Sequence, residues 1–74
     1  MEAPDYVRFW NALPEKEQEK LKFEFKLSME GRDNFNSILI RLIAKADREN
    51  KRKLFAVFPR HVAVVHAYKE GLLK

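Results

Sequence analysis

Apolar residues recur along most of this chain at intervals of three and four, the spacing that lines one face of an α-helix. Tyr6, Phe9, Trp10 and Leu13 form the first such set. Pro4 is placed to open this helix, because its missing N–H would be an orphan in a first turn anyway. Aromatics this dense predict an anchor laid across a core. The competing reading is an exposed aromatic platform for bases or a peptide, a patch that soluble monomers rarely carry. Leu13-Pro14 ends the segment, since the residue before proline is pushed out of the α region.

The next stretch carries two signals. Glu15, Glu17 and Glu19 suit the positive end of a helix dipole, and Gly31 is placed to close the element as a C-cap residue. Between them, Leu21 to Met29 alternates apolar and polar, the period of a strand. A helix is expected because no second alternating run exists to pair with, and a lone strand would leave its backbone groups unsatisfied. An edge strand over 21–29 is the alternative. On a helix turning about 100° per residue, Leu21, Phe25 and Met29 lie together, while Phe23 and Leu27 point nearly opposite. A helix with two apolar sides is either sandwiched in the fold or half committed to a partner. Phe23 and Leu27 are therefore the candidate protein interface, and a second copy of the chain is one candidate partner.

Asp33 or Asn34 can cap the third helix. In it Phe35, Ile38, Leu39, Leu42, Ile43 and Ala46 form an inward stripe, Ile40 adds apolar surface on the far side, and Arg41 and Lys45 lie outside. Asp47 is expected to end that helix and cap the next, with Asn50 three residues on and Leu54, Phe55 and Phe58 turned inward. Pro59 stops the fourth helix and starts the last. There Val65, Tyr68 and Leu72 centre the apolar side, Val62 and Val64 flank it, and Arg60, His66 and Glu70 lie towards the other. The stretch from Ile38 to Val62 is read as the one the rest is organised around. The sum is an all-α protein, one domain over residues 1–74, built as a compact bundle of four to five short helices.

Length and composition sharpen this picture. Seventy-four residues lie near the lower size for an independent core, where only about 60% of the unfolded surface is buried. The chain has no cysteine, so stability must come from helix packing or self-association rather than disulfides or cysteine-based zinc. No apolar run approaches the roughly 20 residues of a membrane span, and Met1-Glu2-Ala3-Pro4-Asp5 lacks the marks of a signal peptide. A cytoplasmic protein without membrane contact is expected.

The net charge of +4 is unevenly placed: residues 1–33 carry six basic and eight acidic side chains, a net of −2, and residues 34–74 nine and three, a net of +6. Arg41, Lys45, Arg48, Lys51, Arg52, Lys53 and Arg60 form the candidate nucleic-acid-binding set, able to neutralise phosphates without reading sequence. The competing readings are a solvated basic side that keeps a small domain soluble, or halves that pack on each other or on a twin. A helix-turn-helix over 48–58 and 60–72 fits poorly, because Val62, Ala63, Val64 and Val65 cannot hydrogen-bond base edges.

Catalytic constellations are not expected. His61 and His66 fall about 140° apart on a helix and cannot share a metal as residues four apart can. His61 reads as a packed histidine with one satisfied nitrogen, and His66 as solvated. Ser28 and Ser37 stand in no nucleophile-elbow or triad pattern. Gly31 and Gly71 make no phosphate-cradling loop. No enzyme activity, cofactor or metal is anticipated.

Ala46-Asp47, Asn50, Leu54, Phe58-Pro59 and Tyr68, preceded by Phe9-Trp10 and Leu13-Pro14, resemble small uncharacterised helical proteins encoded in bacterial phage, prophage and other mobile-element regions. The resemblance covers most of the chain and rests mainly on helix caps and core residues. It implies a helical fold and a bacterial or phage setting, and it carries over neither an activity nor a catalytic position. The expected function is non-catalytic protein–protein interaction, with non-specific nucleic-acid binding as the alternative.

Overall fold

A computed structural model describes residues 4–73. The reading of Met1, Glu2 and Ala3 lies outside the described residues. Five α-helices follow one another: α1 (Tyr6–Ala12), α2 (Glu15–Met29), α3 (Phe35–Lys45), α4 (Arg48–Val57) and α5 (Pro59–Lys69). The described residues form no strand, so the alternating run 21–29 lies wholly within α2. The helical start and stop signals around it outweigh its local period.

Short polar side chains set the helix starts. Asp5, not Pro4, opens α1, its carboxylate accepting from Arg8 N at 3.0 Å. Asn34 Oδ1 accepts from Ser37 N and Asp47 Oδ1 from Asn50 N, each at 2.8 Å. Each bond satisfies one orphan donor of a first turn. Pro59 is the first residue of α5, and Phe58 is both the last cap of α4 and the first of α5.

Both glycines close helices. Gly31 has φ +80° and Gly71 φ +75°, a left-handed conformation in which side-chain-bearing residues are strained. After α2, Gly31 N donates to Ser28 O and Arg32 N to Leu27 O; after α5, Gly71 N donates to Tyr68 O and Leu72 N to Ala67 O. These are paired Schellman bonds.

The organising element is α5, which packs against each of the other four helices. Val62, Ala63, Val64, Val65 and Ala67 are all buried, and a helix buried all round shows no single apolar stripe. This corrects two expectations: Ile38–Val62 is not the centre of the fold, and Tyr68 and Leu72 are half exposed instead of centring an apolar side. Tyr6 and Trp10 of α1 are buried in the same core, the anchor that their spacing predicts. Leu54, Phe55 and Phe58 of α4 pack against that core but stay partly exposed.

The third helix is turned from its expected orientation. Its buried residues are Ser37, Leu39, Ile40 and Ile43, so the core side is rotated by about 100° from the predicted stripe. Ile40, read as lying on the far side, is 1% exposed, while Phe35, Ile38 and Leu42, read as inward, are 67%, 48% and 56% exposed. On α2, Ser28 takes the buried place expected for Met29, which lies 64% exposed. Small residues at the crossings let the helices approach: Ser28 and Ser37 are buried where larger side chains would hold the backbones apart.

Candidate functional site

The rotation of α3 creates an apolar band on the outside of the protein. At one end Phe23 and Leu27 of α2 face Phe35 across a cleft of about 490 Å³, bordered by Lys20, Glu24 and Asn36. Phe35 also stacks at an angle on Phe58, ring centroids 6.1 Å apart. From Phe35 the band follows α3 through Ile38 to Leu42, steps of three and four on one helical side. There Leu42 joins Leu54 and Val57 of α4 in a second cleft of about 600 Å³, with Lys45, Asp47 and Lys53 lining it. Phe23, Phe35, Ile38, Leu42 and Val57 are each between 48% and 67% exposed. Together they present on the order of 500 Å² of apolar surface, the upper range for a patch on a monomer.

Phe23 is thus the outward residue that the two-sided reading of α2 predicts, and Leu27 is half-buried at the edge of the same cleft. The remaining members, Phe35, Ile38, Leu42 and Val57, are absent from the expected interface. Their signal is present in the sequence: α3 carries more apolar residues than one buried side can take.

The members of the predicted basic set are held in different ways. Arg41 Nη1 donates to the carbonyls of Ser28 (3.1 Å) and Arg32 (3.0 Å), holding the α2–α3 turn against α3. Arg52 pairs with Glu49 at 2.9 Å and Arg60 with Glu17 at 3.5 Å. Lys51 turns back into the protein: its Nζ lies 2.8 Å from His66 Nδ1 and 4.6 Å from the centre of the Tyr6 ring. Lys45, Arg48 and Lys53 are exposed. Lys45 and Lys53 line the α3–α4 cleft, whereas Arg48 lines a separate cleft beside Lys51.

His66 is packed, contrary to the solvated position expected for it. Its ring lies 4.9 Å from that of Tyr6, and its Nε2 3.6 Å from Glu70 Oε1. The Lys51 ammonium can only donate, so Nδ1 accepts and the proton of the neutral ring is assigned to Nε2. Burial holds the His66 pKa below its usual range, reinforced by the Lys51 charge. Burial likewise lowers Lys51, with Lys69 adding to the shift, and raises the Tyr6 phenol.

His61 sits between α2 and α5 with its Nε2 3.4 Å from Glu24 Oε2. That separation is a close contact without hydrogen-bond alignment, and the buried nitrogen has no aligned partner. The satisfied nitrogen expected for His61 is therefore not this one. Asn36 Nδ2 holds the other Glu24 oxygen at 3.2 Å. Ser28 Oγ donates to Phe25 O, and Ser37 Oγ is enclosed without a partner. No group of three or more metal-ligating side chains is gathered among the described residues. None of the described helices is long and apolar enough to cross a membrane. Comparisons with protein families, curated proteins and solved structures return no match for this chain.

Proposed function

We propose that this protein acts without catalysis, by binding protein through the Phe23–Phe35–Leu42–Val57 band, with a second copy of itself as the occupant. The observation that supports this most is the exposed side of α3, where Phe35, Ile38 and Leu42 stand in register beside Phe23 and Val57. Both ends of the band carry both signs of charge: Lys20 and Glu24 at one, Lys45, Lys53 and Asp47 at the other. A two-fold-related copy can therefore set opposite charges against each other around an apolar centre, as isologous interfaces require. A band of this size falls short of the roughly 800 Å² per partner of a standard interface, so the dimer is weak and concentration-dependent.

Serine-nucleophile chemistry has no exposed hydroxyl to use, since Ser28 and Ser37, the only serines in a chain without threonine, are both buried. The bacterial phage or mobile-element setting and the cytoplasmic location belong to the same proposal, the first resting on the resemblance alone. Non-specific nucleic-acid binding has less to stand on, because Arg41 is tied to the carbonyls of Ser28 and Arg32 and Arg52 pairs with Glu49.

Sedimentation velocity over a wide concentration range tests this reading. The expected result is a rising sedimentation coefficient for the wild type and none for Phe23→Glu or Leu42→Glu. The dimer constant should weaken by about tenfold or more in each variant, since a charge would be buried without a partner. A wild-type coefficient that stays monomeric at every concentration would sink the self-binding proposal.

A further inference from the structure

Away from the apolar band, a cleft of about 560 Å³ opens between the start of α1, the α3–α4 joint and the end of α5. Arg48 and Lys51 of α4 and His66 and Lys69 of α5 line it, with Asp5 and Tyr6 completing the wall. Three cationic side chains from two helices share this one space. The single carboxylate lining it, Asp5, is already used as the N-cap of α1. Arg48 has no ion-pair partner among the described residues. Asp5 and the neighbouring Glu70 offset these like charges only in part in a partly desolvated site; the Lys51 pKa is lowered by burial first and then by Lys69, with Glu70 opposing.

We propose that this cleft binds a compact dianionic oxyanion, inorganic phosphate or the phosphate of a small phosphomonoester, on Arg48, Lys51 and Lys69 beside His66. Two of the cations are held in place before any ligand arrives. Lys51 is fixed by the Tyr6 ring at 4.6 Å and His66 Nδ1 at 2.8 Å, and Lys69 by the Ala44 carbonyl at 3.2 Å. Each ammonium has three N–H donors, so each keeps donors beyond those contacts. Arg48 supplies a planar fork that matches two oxygens of one phosphate. A dianion balances more of this charge than a monoanionic diester does, so the site selects the monoester by charge. Bound phosphate offsets the Lys51 and Lys69 charges that help hold the His66 pKa down, and therefore raises it.

The test is nitrogen-detected NMR of the His66 ring while inorganic phosphate, glycerol 3-phosphate or dimethyl phosphate is added at constant ionic strength. The groups facing this ring are Asp5 at the cap of α1, Tyr6 of α1, Lys51 of α4, Lys69 of α5 and Glu70 at its cap; all are the same in every titration of the wild type. Phosphate and glycerol 3-phosphate are expected to give saturable shifts and an upward move of the His66 titration. The diester, and either Arg48→Gln or Lys69→Gln, should bind about tenfold more weakly, the scale of one lost charge-assisted hydrogen bond. Both substitutions are at exposed positions, and an unchanged circular dichroism melt establishes that the fold is retained. The proposal is overturned if the shifts do not saturate, if the diester matches the monoesters, or if both variants bind as the wild type does. A DNA oligonucleotide that binds more tightly than phosphate through these residues would also overturn it in favour of nucleic-acid binding.

Discussion

At the scale of single residues, His66 shows what helical spacing leaves out. The spacing puts it on the polar side of the last helix, and there it lies. What spacing does not hold is that α1 crosses that side and sets Tyr6 against the ring, 4.9 Å between centroids. The consequence is a pH effect with a definite sign. The folded state holds His66 neutral, with its pKa below the ordinary value of 6.5. The unfolded chain therefore takes up this proton first on acidification. The contribution of His66 to stability is complete above about pH 6.5 and is lost as pH falls from there through the folded pKa. Urea unfolding from pH 8 down to pH 5 should show part of the wild-type loss removed in His66→Gln. Identical pH dependence in the two proteins would contradict this environment.

Among the elements, the caps are the most legible part. Asp47, Asn34 and Pro59 stand where their chemistry places them, as does Gly31 one position beyond the α2 cap. Gly71 is the same device at the end of α5. Its φ of +75° predicts that Gly71→Ala costs about 1–2 kcal/mol, although open space surrounds the position. A smaller thermal-melt change would mean that the closing turn of α5 is not held in this conformation.

The least legible element detail is which side of α3 is buried. Phe35, Ile38, Leu39, Leu42, Ile43 and Ala46 make the larger stripe, and counting apolar residues favours it. The fold instead buries the side with Ser37 and Ile40, because α2 and α5 both press on it and a small residue lets them come close. The rotation separates two isoleucines that stand two positions apart. Ile40→Ala should destabilise by about 2–5 kcal/mol, the range for emptying a core site. Ile38→Ala should stay within about 0.5 kcal/mol, as an exposed position does. Equal losses in thermal or urea unfolding would return α3 to the orientation its stripe predicts.

For the whole molecule, the uneven charge along the sequence turns out to serve partly inside it. Arg60 meets Glu17, His61 meets Glu24, and Arg41 and Lys69 hold backbone carbonyls. The halves of opposite net charge are packed on each other. The Arg60–Glu17 pair is exposed and adds little to stability. An all-α bundle was legible because caps and prolines are local signals. The apolar band was legible only at Phe23 and Leu27, because its larger part depends on how α3 turns against α2 and α5.

Docking of a second copy on this band can be followed residue by residue in amide NMR spectra of the wild type across a wide concentration range. Concentration-dependent shifts grouped around Phe23, Phe35, Ile38, Leu42 and Val57 are expected, together with their loss in Leu42→Glu. Spectra independent of concentration would contradict it. So would shifts grouped on the opposite cleft formed by Met29, Arg41 and Tyr68.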